Sequence, residues 1–569
     1  MIRSILILLA LLVTSACAEP AGRTTSQPGI QGQQPAARAS QTLTTAVRYE
    51  PVSLAAKPLR ATGSTADYTV RLFNAELVQR DARDSARPYL TEALPQLNTE
   101  SWKVNPDGTM ETTYKLKPNL TWHDGTPLTA ADFVFGWRVY RTPELGLSNS
   151  RPQNLMDEVA DPDPRTVVIR WRGPYPDAGA LATPLFQALP QHILDATLRS
   201  GDADAFVNHP YWANQYIGAG PYRLERWEPG AFIEATAFDG HTLGRPKIDR
   251  VIVRFFTDEN TALTNLLSEN VQLAMDRALR YEHVGTLKER WPGGDKGVVI
   301  LTPTQWRYMW VQTRPTVVEP KALLDRRVRQ ALAHTIDKEG LNDLFGGEGA
   351  MADTLLPRNV PYFADLDRAI TKYPYDPQRA EQLMGEAGFA KGSDGVFAGA
   401  GERMSFDFWG DSGSQFEKDL AVVGAGWNRV GFDTRLGVVA AAQFRDIEYR
   451  VTFKGVYSTT SGAAAANRLD NFTSSSIPIP ENRWSGSNYA AWSNPEFDRL
   501  WADFSTTLDE SQRNRQAIEM MRIVSEDVVI MPLFHNFEVA AHYATLSGVD
   551  RNPVFFGLMS WNVHEWELR

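Results

Sequence analysis

The 569-residue chain contains a single cysteine, Cys17. One thiol closes no disulfide within the chain and builds no thiolate metal cage. Lysine and arginine total 58 against 68 acidic residues, a net charge of −10. There is no basic run to form the cationic face that phosphate neutralisation requires, which argues against nucleic-acid binding. None of the nine histidines belongs to an H-E-x-x-H pattern, and no pair has a metal-ligand spacing with a carboxylate at the right offset. No G-x-x-x-x-G-K-[ST] loop occurs, so ATP chemistry is not done by this chain. No internal period repeats. Past the N-terminus, no apolar run approaches the ~20 residues of a membrane-spanning helix.

The residues that are present describe a large globular protein. Hydrophobic residues make up 43% and charged residues 22%, with 35 prolines, a composition unlike coiled coil or disorder. At roughly 150 residues per unit, the length suggests three or four compact units. The 16 tryptophans and 18 tyrosines serve core packing first and can also line a pocket with flat amphipathic surfaces. The first twenty residues, "MIRSILILLALLVTSACAEP", place Arg3 before an apolar run from Ile5 to Val13, with small residues ahead of Cys17. Nine apolar residues suit the core of a secretory signal. Small residues ending at a cysteine resemble a bacterial lipobox, although Thr14 stands where leucine is usual. Residues 1–16 are therefore read as a signal peptide, with Cys17 the lipidated first residue of the mature chain. Residues 17–42, rich in Ala, Gln, Gly, Pro, Ser and Thr, read as a flexible tether.

Beyond the tether, short strand-like runs alternate with amphipathic helices, as in an α/β chain. "TAADFVFGWRVY" predicts a helix capped by Thr129, with Asp132 three residues on and Phe133, Val134 and Trp137 on one face. "LLDRRVRQALAHTIDKEGL" predicts a second, capped by Asp325, with Val328, Leu332 and Ile336 at intervals of four. "SNPEFDRLWADF" predicts a third, with Pro495 in its first turn and Phe497, Leu500, Trp501 and Phe504 along one stripe. "DVVIMPLF" (527–534) reads as a strand covered on both faces.

Three motifs invite a chemical reading. "GDSGS" at 410–414 resembles the nucleophile loop of trypsin-like proteases, but no matching histidine motif supplies a base for Ser412. The reading there is a strand-ending turn. In "GAGPYR", Arg223 stands where a dinucleotide loop needs its third glycine. The pair His123-Asp124 in "LTWHDGTPLTAADF" is turn chemistry: Asp124-Gly125 makes the turn, Pro127 stiffens it and Thr129 caps the helix. The aspartate is expected to accept turn N–H groups, not to activate the histidine.

"YKLKPNLTWHDGTPLTAADFVFGWR" (114–138) also resembles the signature segment of the solute-binding proteins of peptide/nickel-type ABC importers, the oligopeptide- and dipeptide-binding lipoproteins. Further segments resemble the same family in the same order: "GAGPYRLERWEPGAFIEATAF" (218–238), "GRPKIDRVIVRFFTDENTALTNLLSENVQLA" (244–274), "DRRVRQALAHTID" (325–337), "YPYDPQRAEQLMGEAGF" (373–389) and "NYAAWSNPEFDRLW" (488–501). The resemblance implies a bilobal α/β fold of the periplasmic-binding-protein type, its large variety with an extra subdomain, crossed by two hinge segments. By motif order, lobe I would comprise 43–80, 215–307 and 536–569, the extra subdomain 81–214 and lobe II 308–535. It implies a receptor outside the cytoplasm, held to a bacterial membrane through Cys17. Such a receptor closes over a small solute and hands it to ABC permease subunits as a monomer, without catalysis, cofactor or metal.

The sequence departs from the peptide-binding pattern where solute is chosen. Peptide binders carry an aspartate in W-x-A-D-Y-x-D-P that holds the peptide ammonium. Here the stretch is "TFKGVYSTTSGAAAANRLDNF", with Ser458 or Thr459 at that position and Asp470 a possible substitute. A buried ammonium without a carboxylate is costly, so an opine or oligosaccharide stands as the alternative to a peptide, and a sensor or scaffold without a permease as the alternative role. The expected cleft residues are Phe73, Asn74 and Glu76 on the family's first cleft strand, with Trp409, Tyr457, Thr459, Arg483 and Trp484 from lobe II.

Overall fold

Among the described residues the central sheet has eleven strands. In chain order its principal members are β1 (Thr42–Val47), β2 (Tyr222–Glu228), β3 (Phe232–Ala237), β4 (Arg250–Phe255), β5 (Leu273–Leu279), β6 (Gly297–Val311), β7 (Ser405–Asp411), β8 (Asp433–Val439), β9 (Val456–Gly462) and β10 (Ile530–Tyr543). Their spatial order is β8-β7-β9-β6-β10-β5-β1-β4-β3-β2, and the short strand Ala350–Met351 joins β10. The computed structural model describes residues 40–569 except 60–66, 149, 183–184, 344–349, 412–413, 441–442, 444–445, 463–465, 483 and 554–558. The signal segment, Cys17, Ser412 and Arg483 lie outside the described residues, as does nearly all of the tether. Thr42, read from sequence as the last tether residue, opens β1.

β6 and β10 organise the sheet. They pair antiparallel from Gly297 opposite Tyr543 to Trp310 opposite Ile530. Toward one end, β9 flanks β6, and β7 lies parallel to both β8 and β9. Toward the other end, β5 flanks β10, and β1 runs parallel to both β4 and β5. The β6–β10 ladder shifts register between Pro303 and Gln305. Proline offers no N–H to a ladder, so the irregularity falls where pairing is already weakened. The two parallel sets both end at this middle stretch. β9 finishes with Gly462 opposite Gln305, and β5 finishes with Leu279 opposite Val539, itself opposite Leu301. Four residue steps along β6, from Leu301 to Gln305, separate the two levels, about 13 Å at strand rise.

β5 is buried at six of seven positions, as expected of a strand covered on both faces. A separate four-stranded antiparallel sheet (102–104, 110–115, 156–163 and 166–171) is packed by helix Ala130–Arg141. The three expected helices form over Ala130–Arg141, Arg326–His334 and Pro495–Phe504, capped by Thr129, Asp325 and Asn494. The apolar face assigned to the first was too narrow. Phe133 enters the core beneath the small sheet, with Val134 and Trp137 half-buried beside it, whereas Phe135, Val139 and Tyr140 enter the core of the central sheet. The helix thus joins two cores. The run 527–534 is not all strand: helix Glu510–Asp527 ends there, Val528 turns at φ 47°, and β10 begins at Ile530. Two contacts link this helical region to the small-sheet layer. The Arg513 guanidinium meets Asp177 at 3.5 Å, and Leu508 packs against the small-sheet core.

Candidate functional site

The His123-Asp124 pair separates into two structural roles. Gly218 N–H donates to His123 Nδ1 (3.2 Å), so Nδ1 is unprotonated, and Nε2–H donates to the Gly220 carbonyl (3.0 Å). His123 N–H also donates to the Gly218 carbonyl at 2.9 Å. Burial holds the imidazole neutral, with its pKa pushed down to about 4. Asp124 accepts from Thr126 N–H, as expected of a turn, and pairs with His192 at 2.8 Å. The histidine clamps the G-A-G segment onto the Phe73 backbone. A Cβ at Gly218 would lie 1.9 Å from the Phe73 carbonyl oxygen, and one at Gly220 would lie 2.3 Å from Asn74 N. That close approach, not phosphate binding, is why these glycines are needed.

The expected first cleft strand is therefore corrected. Residues 71–76 are turn and coil, and the Phe73 side chain is fully buried in the core. The Asn74 side-chain amide donates to the Leu54 and Val70 carbonyls (both 2.7 Å), while its oxygen accepts from Tyr216. Glu76 is buried and its carbonyl accepts from Leu90 N–H. Phe73 and Asn74 hold the wall of the fold through these contacts.

Four residues from β7, β9 and an adjoining helix gather around the carboxyl end of β7. Asp411, the last residue of β7, accepts from the Tyr457 hydroxyl through Oδ1 and from Thr459 Oγ1 through Oδ2 (2.7 Å). Arg450, from helix Ile447–Val451, donates to the Tyr457 hydroxyl at 3.2 Å and lies 5.4 Å from the Tyr489 ring centroid. Burial and the nearby Asp411 charge push the Tyr457 phenol well above its ordinary range, so it stays a donor. Thr459 and Asp411 are brought together by register: Trp409 sits beside Tyr457 in the β7–β9 ladder, so two residues on, Asp411 meets Thr459. The carboxylate missing from β9 is thus present on the neighbouring strand, already bonded to both predicted β9 residues. Sequence reasoning did not select Asp411 or Arg450. The only signal was that Asp411 ends a strand.

Tyr308 pairs across β6–β9 with Thr459 and stacks on Trp306 at 3.8 Å. Trp409 is half-buried and stacks on Tyr449 at 5.3 Å, over Gly437, where a Cβ would come within 2.7 Å of the indole. Trp484 does not join this group. It turns at φ 59° with Arg314 over its ring, beyond the end of β6 away from the crossing. Asp470, in the short helical segment Ala466–Phe472, has its carboxyl raised by burial. On the opposite face of β6, Arg307 and Asp419 form a fully buried ion pair at 2.5 Å, with the guanidinium 4.1 Å from the Phe416 centroid. Among the described residues, no group of three His, Cys, Asp or Glu side chains could hold a metal ion, and no helix is long and apolar enough to cross a membrane.

Two groups of strand ends meeting across a pair of shared strands define a bilobal binding protein of the periplasmic type. Solved structures agree on that fold. The oligopeptide-binding protein of Thermus thermophilus, solved with a pentapeptide, has a TM-score of 0.69 at 21% identity over 93% of this chain and 96% of that one. The nickel-histidine complex of NikZ from Campylobacter jejuni also has a TM-score of 0.69 at 21% identity, covering 92% and 99%. The model for bacterial extracellular solute-binding proteins, family 5 (middle region), matches residues 92–476. The chain belongs to this family, whose members bind solutes outside the cytoplasm and are not enzymes. A provisionally designated ABC transporter peptide-binding protein of Brucella ovis is 29% identical over 296 residues, and the chain spans about half the length of that relative (51%). The oligopeptide-binding protein AppA of Bacillus subtilis is 24% identical over 515 residues, 87% of this chain and 89% of that protein.

Proposed function

We propose that the protein is a lipid-anchored receptor of an ABC importer that takes a peptide or similar solute between its lobes and delivers it unaltered to the permease. The observation that carries this reading is the convergence of two parallel-strand sets on the β6–β10 crossing, with Asp411, Thr459 and the Trp306–Tyr308 pair at one set of ends. Ligands of open α/β sheets bind outside the carboxyl ends of strands. In this reading lobe I comprises 43–80, 215–307 and 536–569, the extra subdomain 81–214 and lobe II 308–535. The ladder shift at Pro303–Gln305 and the small sheet within 102–171 support those bounds. Arg483 keeps its assignment as a lobe II contact, and Cys17 carries the anchor. Relatives named for oligopeptides and dipeptides support a peptide as the leading ligand.

A non-peptide solute is the second reading, favoured by one observation. The carboxylate at the end of β7 is not free: Asp411 is bonded to Tyr457 and Thr459, with Arg450 on the same tyrosine. An oligosaccharide carries no ammonium to be neutralised there. Mass spectrometry of small molecules released from the purified protein separates the readings, followed by melting shifts with peptide, opine and oligosaccharide pools. A protein that yields no ligand and shows no shift with any pool is not a solute receptor. Incorporation of labelled fatty acid, lost in Cys17→Ser, tests the anchor.

A further inference from the structure

We propose that Arg277 anchors a carboxylate of the bound solute on the lobe I side of the cleft; the proposal rests on the receptor reading above. Arg277 lies two residues before the end of β5, on the side of the crossing opposite Asp411. The strand departs from regular pairing there. Ala274 faces Ala541 and Leu279 faces Val539, so five steps along β5 span only two along β10. Within this excursion Asp276 and Arg277 are consecutive non-glycine residues at φ 46° and 63°. Left-handed backbone at such residues is strained and persists only where surrounding structure enforces it.

The enforcing contacts all fall on Asp276. Its carboxylate accepts from Tyr68 N–H (3.0 Å), Thr69 N–H (2.9 Å) and Thr69 Oγ1 (2.6 Å), and its carbonyl accepts from Arg48 N–H (3.2 Å). The aspartate is committed to backbone and hydroxyl donors and fixes the residue beside it. Arg277 itself is half-buried and makes no hydrogen bond, ion pair or ring contact with any described residue. Its neighbours differ: Arg48 and Arg280 both pair with Glu259 at 2.7 Å.

A strained, four-bond lock that presents an unpaired guanidinium has no packing purpose visible in the fold. It suits recognition of an anion that arrives later. A guanidinium offers a planar fork of N–H donors that matches a carboxylate in bidentate fashion, and partial burial strengthens that pairing over one in open water. A solute whose carboxylate reaches Arg277 while its remainder lies on the Thr459–Tyr308 side touches both lobes. Those contacts exist together only when the lobes are closed, so they favour closure. The carboxylate can be a peptide terminus or the acid of an opine.

Calorimetric titration of the purified full-length protein, its Arg277→Gln and its Arg277→Lys variants tests this. The probes are di-, tri- and tetra-alanine as free acids and as carboxyl-terminal amides. The free acid is expected to bind wild type at least tenfold more tightly than the amide. Arg277→Gln should bind both forms at the amide level, with Arg277→Lys between. Amide binding by Arg277→Gln equal to wild type shows that the cleft is intact. Equal binding of acid and amide by wild type, or an acid preference retained in Arg277→Gln, overturns the assignment. Binding of none of the free acids overturns the peptide reading itself and the Arg277 assignment for peptides with it.

Discussion

Replacing His123 separates a structural histidine from a catalytic one. In His123→Ala the Gly218 N–H and the Gly220 carbonyl lose their partners inside the protein. Each orphaned buried group costs about 1–3 kcal/mol, so a loss of about 2–6 kcal/mol is expected before any cavity term. The pH dependence adds an independent signature. The folded-state pKa is about 4, below the ordinary 6.5. A depressed histidine pKa gives stability that is present above 6.5 and lost as pH falls toward 4, because the unfolded chain takes up the proton first. Between pH 7 and pH 5 the wild type should lose about 2 kcal/mol through this residue, at about 1.4 kcal/mol per pH unit below 6.5. His123→Gln cannot titrate, so its urea-unfolding free energy should fall less over the same interval, by about that amount. Parallel pH profiles for wild type and His123→Gln would refute the neutral-clamp account. A wild-type-like unfolding midpoint in His123→Ala would refute the bonding account.

Three further outcomes follow from other contacts. Arg307→Met leaves Asp419 buried without its cation and should destabilise by about 3–5 kcal/mol in urea unfolding, whereas Arg307→Met/Asp419→Leu should regain most of the loss. Thr459→Asp places a second carboxylate against Asp411 and raises the new group's pKa. Its melting deficit should be small near pH 4 and widen as pH rises to 8, because a raised carboxyl pKa gives stability that is lost on deprotonation. Arg513→Gln removes a partly exposed pair worth about 0–1 kcal/mol. It should enlarge the radius of gyration in X-ray scattering of the unliganded protein and weaken solute binding by no more than about fivefold.

The helices at Ala130–Arg141, Arg326–His334 and Pro495–Phe504 were legible because caps and apolar spacing are local properties. The width of the first helix's buried surface was not, since Phe135 and Tyr140 face a core built from residues far along the chain. The same limit governs the site. Thr459 and Tyr457 were selected through the family motif, but Asp411 reaches them only through the register of β7 on β9. Arg450 enters from a five-residue helix with no pattern of its own. Phe73, Asn74 and Glu76 were expected on a strand through the family resemblance, and that strand does not form. The resemblance says nothing of the glycines 145 and 147 positions after Phe73, which press close against this backbone. The reading of Asp124 as a turn acceptor needed only neighbours two residues away, and it stands.

Because the two crossing strands are hydrogen-bonded to each other through the passage between lobes, they behave as a two-ply leaf spring rather than two independent strings. Sliding one ply past the other would break the ladder rung by rung, while flexing over the short stretch that holds both irregularities, Pro303–Gln305 and Arg307–Tyr308, disturbs few rungs. The mouth should therefore gape by a swing about one axis, and cargo should leave by the side that this swing uncovers.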